Sequence, residues 1–198
     1  MYLQITTRCN MKCSHCLFSC QPGVGEDMSL AVFTAGCELA KKHHIQGIAL
    51  GGGEPTVHPL FWDFVEIGRK YADIHVITNG KKTEDALKIA KFAMTGKISS
   101  AALSQDAWHE AIDPCVVAEF QFAEGLRWYP LKHNTLSAVL SMGRGKEIGG
   151  SKRVICRYED YRHGNCCRET FVTPDGCVFP CSCQKVKCGT VFDSHCLD

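Results

Sequence analysis

Three cysteines near the start of the chain have a spacing that suits metal chemistry. Cys9, Cys13 and Cys16 form a C-x3-C-x2-C pattern directly after a short apolar run. Three thiolates on one tight loop suit a cubic iron–sulfur cluster, because each can bind one iron and leave the fourth iron without a protein ligand. A structural zinc ion is the alternative, but it takes four protein ligands, usually as two short pairs. The loop offers His15 or Cys20 as a fourth.

A second segment that could bind a ligand follows another apolar run. It combines three glycines with an acidic residue and a proline, namely Gly51, Gly52, Gly53, Glu54 and Pro55. Glycine lacks a Cβ, so its backbone can approach a ligand closely. The carboxylate of Glu54 could bind an ammonium group, or the segment could act through its backbone alone. A plain strand-to-helix turn is the alternative interpretation.

The two segments together resemble the radical S-adenosylmethionine (SAM) superfamily in their order and separation. In that family a C-x3-C-x2-C loop after the first strand holds a [4Fe–4S] cluster, and a GGEP segment after the second strand binds the methionine end of SAM. His15 stands where the family usually has an aromatic residue or a histidine. The resemblance covers residues 1 to 142 and implies that Cys9, Cys13 and Cys16 bind the cluster, with one iron open for SAM.

The same resemblance implies further SAM contacts at two predicted strand ends. Thr78 and Asn79 begin a TNG segment, and Ser104 and Asp106 form an S-x-D pattern that relatives carry near the ribose. We therefore expect these four residues to contribute to the SAM site, with ordinary turn or loop capping as the alternative. His109 could exchange a proton with a substrate, although a lone loop histidine more often faces solvent.

The middle of the chain alternates between predicted strands and helices. Helical patterns follow Asp27 or Ser29, then Pro59, Thr83 and Asp113, and the last runs to about Glu124. The strands between them are predicted at Ile45–Leu50, Ile74–Thr78, Ile98–Leu103 and Thr135–Leu140. Such alternation predicts an α/β fold with a parallel sheet and with sites at the carboxyl ends of its strands. The resemblance implies a partial (β/α)6 radical SAM barrel, here trimmed to about five units.

The end of the chain is rich in cysteine and predicts a β-hairpin. Residues 172 to 181 alternate in the manner of two short strands joined at Asp175-Gly176. This hairpin is similar to the SPASM or twitch extension of radical SAM proteins, which carries auxiliary [4Fe–4S] clusters. The chain lacks the full SPASM pattern, so we expect the shorter twitch form with one auxiliary cluster.

We expect that auxiliary cluster to be held by four of the eight cysteines between residues 156 and 198. A zinc knuckle is the alternative, because zinc also accepts four thiolates. The expected ligands are Cys166, Cys181, Cys183 and Cys188, with Cys156, Cys167, Cys177 and Cys196 as substitutes.

These patterns divide the chain into a barrel at residues 1–142, a linker at 143–155 and a cysteine-rich extension at 156–198. Gly143-Arg144 resembles the GR turn that closes the barrel in many relatives, and a flexible linker is the alternative.

The composition of the chain indicates its cellular compartment and its classes of partner. All but two of the 14 cysteines, Cys37 and Cys115, bunch at the two ends of the chain, which indicates metal binding and a reducing compartment rather than a disulfide framework. We therefore expect a cytoplasmic protein. No apolar run approaches the roughly 18 residues of a membrane span. The net charge of +1 disfavours nucleic acid as a partner, although a local basic groove or a nucleotide substrate stays open.

The resemblance implies an enzyme that reductively cleaves SAM to a 5′-deoxyadenosyl radical, which removes a hydrogen atom from a peptide or a small polar substrate. An electron donor such as flavodoxin or ferredoxin would reduce the first cluster. The auxiliary cluster would transfer electrons or bind the substrate. The alternative is a non-catalytic iron–sulfur or zinc-binding protein that retains the fold, but neither role needs the glycine-rich segment.

Overall fold

The computed structural model describes residues 1–122, 130–134, 143–149, 169–182, 184, 186–193 and 195–197. Four α-helices lie in this part of the chain: α1 Leu30–Lys42, α2 Phe61–Gly68, α3 Thr83–Met94 and α4 Pro114–Gln121. The strands are β1 Tyr2–Thr6, β2 Gly47–Gly52, β3 Asp73–Thr78, β4 Ser100–Ser104, β5 Leu131–Asn134, β6 Phe171–Val172, β7 Cys177–Phe179 and β8 Gly189–Thr190.

All described strands join one sheet in the order β5-β4-β3-β2-β1-β6-β7-β8. Strands β1 to β5 pair in parallel, β6 pairs in parallel with the free edge of β1, and β7 and β8 continue the sheet as antiparallel strands. The predicted α/β class is confirmed, with five parallel strands and a C-terminal hairpin. Strand β1 therefore lies at the centre of the sheet, and the loop that follows it has neighbours on both sides.

Two of the four described α-helices, α1 and α4, begin with a side-chain cap, whereas α2 and α3 have none. The Ser29 side chain accepts a hydrogen bond from Val32 N at 3.2 Å and begins α1. Asp113 begins α4 in the same way, with Pro114 in the first turn. The predicted cap of α3 was wrong by one residue, because Thr83 is its first helical residue and Lys82 occupies the cap position.

The predicted fifth strand, Thr135–Leu140, lies outside the described residues, as does the predicted end of α4 near Glu124. The structure places β5 earlier, where Leu131–Asn134 pairs with β4. Of these residues Leu131 is buried, whereas Lys132 is exposed. An edge strand with one inward-facing apolar residue does not show the alternation of apolar and polar residues by which a strand is recognised from sequence.

A core of aromatic and aliphatic side chains joins the helices to the sheet. The rings of Phe33 and Phe64 stack at a centroid distance of 4.0 Å, and both residues are fully buried. Leu3, Ile48 and Ile74 are also buried in this cluster. Among the described helices, none has both the length and the apolar character needed to cross a bilayer.

Because Phe64 is stacked inside this core, Phe64→Ala is expected to lower the free energy of unfolding by roughly 3–5 kcal/mol. Urea unfolding followed by circular dichroism measures the change. Phe122 is the matched control, since its side chain is 83% exposed and Phe122→Ala should change stability by less than about 0.5 kcal/mol. Equal losses in the two variants would contradict this assignment of the core.

Candidate active site

A cavity of roughly 270 Å³ opens at the carboxyl ends of the parallel strands. Its lining brings together segments that are far apart in sequence, among them Cys9, Cys13, Cys16, Gly52, Thr78 and Ser104. All four segments that sequence analysis selected therefore meet at one place. The parallel sheet explains this convergence, because the loops that follow adjacent strands share one edge.

The cysteine loop between β1 and α1 supplies four cysteines to the lining of the cavity. Met11 N donates a hydrogen bond to Cys9 Sγ at 3.4 Å, and Cys16 N donates to Cys13 O at 3.3 Å. Burial raises the pKa of Cys9, and it raises the pKa of Cys13 to about 11. A hydrogen bond with Cys20 lowers the pKa of Cys16 to about 6. The four cysteines line the same cavity.

The glycines after β2 are required by the neighbouring backbone. A Cβ on Gly52 would overlap the carbonyl oxygen of Thr6, and a Cβ on Gly53 would overlap that of Arg8. Gly52 also has a φ of +142°, which disfavours other residues. Gly53 N donates to Thr6 O at 2.8 Å. Close packing against β1 is therefore a second reason for glycine, beside the predicted approach to a ligand.

Gly51 and Pro55 flank these glycines and have structural neighbours of their own. A Cβ on Gly51 would overlap the hydroxyl of Tyr2, a cavity residue that sequence analysis missed. Pro55 is buried at the first position of a short 3-10 helix, Pro55–Val57. Both residues therefore fix the shape of the segment, and any contact that they make with SAM stays a prediction.

The carboxylate of Glu54 is buried and joins the ends of β2 and β3. Its Oε1 accepts hydrogen bonds from the hydroxyls of Thr56 and Thr78, each at 2.8 Å, and its Oε2 accepts from Asn79 N at 2.7 Å. Burial raises the pKa of Glu54 although these donors oppose the shift. The side chain therefore binds the protein itself, and its predicted contact with an ammonium group stays a prediction.

Since Glu54 satisfies several buried donors, Glu54→Ala is expected to lower the free energy of unfolding by at least about 1–3 kcal/mol, the cost of one unsatisfied buried group. Thermal unfolding of the metal-free protein measures the change. Glu66→Ala is the control, because Glu66 makes a surface ion pair with Arg69, and such pairs contribute only about 0–1 kcal/mol. A Glu54 variant as stable as the control would show that the buried network is dispensable.

Asn79 connects the end of β3 to the cysteine loop. Its Nδ2 donates to Asn10 Oδ1 at 2.8 Å and lies 3.6 Å from Cys9 Sγ, while its Oδ1 accepts from Lys81 N at 3.0 Å. The amide is therefore held in one orientation beside a predicted metal ligand. The sequence predicted a contact of Asn79 with SAM, and it did not predict this contact with the cysteine loop.

Gly143 and Arg144 hold the cysteine loop from the other side. The guanidinium of Arg144 donates to Cys13 O at 2.9 Å and to Cys20 O at 2.7 Å, and Arg144 N donates to Cys16 O at 3.1 Å. Gly143 has a φ of +50°, and a Cβ there would overlap the carbonyl oxygen of Cys16. The first two residues of the segment 143–149 therefore contact the cysteine loop. The rest of the predicted linker, residues 150–155, lies outside the described residues.

Arg144→Ala is expected to speed the loss of a reconstituted cluster to an iron chelator roughly tenfold, because residues that orient metal ligands typically contribute that much to affinity. The decay of the cluster's visible absorbance under anaerobic conditions measures this rate. Arg69→Ala removes a surface guanidinium that pairs with Glu66 and should leave the rate unchanged. Identical rates in both variants would show that Arg144 does not support the loop.

The loop after β4 places the carboxylate of Asp106 and the imidazole of His109 beside His15 of the cysteine loop. Asp106 Oδ1 accepts hydrogen bonds from Trp108 N at 3.0 Å and from His109 Nδ1 at 2.8 Å, while Asp106 Oδ2 lies 4.0 Å from His15 Nε2. Burial alone would raise the pKa of Asp106, but these hydrogen bonds outweigh it and lower the pKa. His109 lines the cavity rather than facing solvent, and Ser104 lies on the same wall.

The cysteine-rich extension is only partly described. The hairpin of β6 and β7 turns at Asp175-Gly176 as predicted, with Gly176 at a φ of +82°. Cys181 is buried and Cys188 is exposed. The other two expected ligands, Cys166 and Cys183, lie outside the described residues, and so do Cys156 and Cys167. The auxiliary cluster therefore stays a prediction.

A family model described as the Radical SAM superfamily matches residues 3–119 of the 198-residue chain. The chain belongs to this superfamily, whose members are enzymes. The matched part begins in β1 and ends in α4, so it contains the cysteine loop and the ends of β2, β3 and β4.

Two curated relatives match shorter stretches. A tungsten-containing aldehyde ferredoxin oxidoreductase cofactor-modifying protein of Pyrococcus furiosus is 36% identical over 90 residues, which are 44% of this chain and 25% of that protein. The antilisterial bacteriocin subtilosin biosynthesis protein AlbA of Bacillus subtilis is 28% identical over 93 residues, 44% of this chain and 21% of AlbA. The chain thus matches about a fifth to a quarter of these relatives' length.

Two solved structures share the fold over nearly the whole chain. The structure of BtrN in complex with AdoMet and 2-DOIA has a TM-score of 0.64 at 18% identity and covers 98% of this chain and 78% of BtrN. The structure of anSMEcpe with bound AdoMet and the Kp18Cys peptide has a TM-score of 0.60 at 17% identity, covering 98% of this chain and 77% of that one. At such identities the likeness supports the fold alone.

Proposed function

We propose that this protein is a radical SAM enzyme that cleaves SAM reductively and removes a hydrogen atom from a peptide or a small polar substrate. The observation that carries the proposal is the meeting of Cys9, Cys13 and Cys16 with the Gly52-Gly53 segment around one cavity. Because packing against β1 also requires these glycines, SAM cleavage is the property that separates the enzyme from a protein that only binds a metal.

The residues present fit an iron–sulfur cluster better than a single zinc ion. Cys9, Cys13, Cys16 and Cys20 line one cavity. In the described part of the chain, three ligand atoms lie within 4.8 Å of one another only in a group without cysteine, which consists of His15, Asp106 and His109. A single ion draws its ligands close together, whereas a cluster binds each thiolate through a separate iron and spaces them more widely.

Each segment around the cavity has a role in this proposal. Cys9, Cys13 and Cys16 would hold a [4Fe–4S] cluster with one open iron, and the SAM site would comprise Gly51, Gly52, Gly53, Glu54, Pro55, Thr78, Asn79, Ser104 and Asp106. The chemistry that the cluster supplies when bound is one-electron cleavage of SAM to methionine and a 5′-deoxyadenosyl radical, which takes hydrogen from the substrate. An electron donor such as flavodoxin or ferredoxin would provide the electron.

The protein's own contribution is to fix the cavity before any ligand enters. Glu54 joins the loops after β2 and β3 through buried hydrogen bonds, and Asn79 joins the second of these loops to the cysteine loop. Arg144 holds three carbonyl groups of the cysteine loop in place. A site held in this way loses little conformational freedom on binding.

The substrate class in the proposal is supported by the relatives. AlbA is a bacteriocin biosynthesis protein, and the anSMEcpe structure holds a peptide. The BtrN structure holds 2-DOIA, so a small molecule is the second candidate class. We further propose the arrangement of barrel 1–142, linker 143–155 and extension 156–198, and a cytoplasmic location.

The extension would hold one auxiliary cluster, for electron transfer or substrate binding. Its proposed ligands are Cys166, Cys181, Cys183 and Cys188. Iron analysis separates the alternatives, because one [4Fe–4S] cluster contributes about four irons per chain and two contribute about eight. A zinc knuckle would instead contribute zinc without added sulfide.

Cys13→Ala is expected to abolish SAM cleavage, since the first cluster would lose one of its three ligands. The protein is reconstituted anaerobically with iron and sulfide, reduced with SAM present, and assayed for 5′-deoxyadenosine by chromatography. Cys115→Ala is the matched control, because Cys115 is exposed at the start of α4 and its loss should leave cleavage unchanged.

Wild-type protein that binds iron and sulfide but forms no 5′-deoxyadenosine would favour the non-catalytic iron–sulfur alternative. Bound zinc without iron would favour the zinc-binding alternative. Cleavage that persists in Cys13→Ala would show that the active cluster lies elsewhere.

A further inference from the structure

We propose that His15, Asp106 and His109 form a second metal site on the wall of the same cavity, for one divalent cation bound by two imidazoles and one carboxylate. One ligand atom from each residue lies within 4.8 Å of the other two. The site is distinct from the thiolate site in its donors, and no cysteine belongs to it.

The three side chains are positioned by packing as well as by hydrogen bonds. The rings of His15 and His109 meet edge to face at a centroid distance of 4.7 Å, and Trp108 packs on His15 at 5.8 Å. Asp106 Oδ1 accepts from Trp108 N and from His109 Nδ1. The carboxylate is thus oriented with its second oxygen turned towards His15.

Two buried polar atoms in this group lack a hydrogen-bond partner within the described part of the chain. They are His15 Nδ1 and Asp106 Oδ2. The side chain of His15 is 9% exposed and that of Asp106 is 4% exposed, so solvent does not satisfy either atom. A buried unsatisfied polar group typically costs about 1–3 kcal/mol. A cation bound by Asp106 Oδ2 would remove that cost for the carboxylate.

Two cationic side chains of the adjoining segments have other partners. Lys81 forms an ion pair with Glu110, and Arg144 donates to carbonyl groups of the cysteine loop. The charged groups that face Asp106 are the two histidines. A metal ion is therefore a suitable counter-charge for this carboxylate.

The donor set indicates the kind of ion and its use. Two imidazoles and a carboxylate suit Fe²⁺, Mn²⁺, Co²⁺ or Zn²⁺, and three protein ligands leave coordination positions open. Because His15 and His109 line the cavity, an open position would accept an oxygen atom of the substrate. A substrate with a carboxylate or a hydroxyl group beside the reacting carbon fits this arrangement. This last step rests on the proposed function, whereas binding of the ion does not.

The test titrates Mn²⁺ into the reconstituted full-length protein and follows the free ion by electron paramagnetic resonance. Manganese is the probe because it prefers oxygen and nitrogen donors, which keeps it from the many thiolates. We expect one saturable ion per chain. Asp106→Asn and His109→Ala should each weaken binding roughly tenfold or more, with an unchanged cluster absorbance showing that the fold persists.

Glu110→Gln is the matched control, because Glu110 is an exposed carboxylate in the same loop and lies outside the group. It should leave Mn²⁺ binding unchanged. Absence of saturable binding, or equal binding in wild type and Asp106→Asn, would overturn the proposal.

A second titration in the presence of SAM separates this site from the proposed cofactor contact of Asp106. Retention of Mn²⁺ supports a resident ion. Stoichiometric displacement of Mn²⁺ by SAM would show that Asp106 serves the cofactor instead, and would overturn the metal site. Neither outcome depends on SAM cleavage, so a failure here is distinguishable from a failure of the radical mechanism.

Discussion

The arrangement of the cavity depends on close backbone contact between β2 and the strand beside it. Gly52 and Gly53 lie against the carbonyl oxygens of Thr6 and Arg8, and any side chain there would separate the two strands. Since the cysteine loop begins at the end of β1, that separation would move Cys9 away from the loops after β2 and β3. The absence of a side chain at Gly52 and Gly53 therefore sets the distance between the cysteine loop and the loops after β2 and β3.

Around this contact, polar groups join segments that are distant in sequence. Glu54 ties the loop after β2 to Thr78 and Asn79 after β3, and Arg144 reaches carbonyl groups more than 120 residues earlier in the chain. Buried and mutually satisfied hydrogen bonds of this kind hold a site rigid, because breaking one leaves a desolvated donor or acceptor. The proposed metal ligands are therefore positioned by residues that need not touch a metal.

The cavity wall after β4 differs in character from the wall after β1. The loop after β1 supplies soft thiolates, whereas Asp106 and His109 after β4, together with His15 of the cysteine loop, supply nitrogen and oxygen donors. Two donor sets of different hardness on one cavity could select different metals without competing. The single cavity could then combine a redox centre with a site that orients a substrate oxygen.

Sequence alone determined the α/β class, four of the five parallel strands and the segments that surround the cavity, because cysteine spacing, glycine runs and strand–helix alternation are local patterns. It did not predict β5, since an edge strand buries too few side chains to leave a period-two pattern. Only the tertiary structure decided the roles of Arg144 and His109. Their functions arise from contacts across the fold, with the cysteine loop for Arg144 and with Asp106 and His15 for His109, and no local pattern encodes contacts between distant segments.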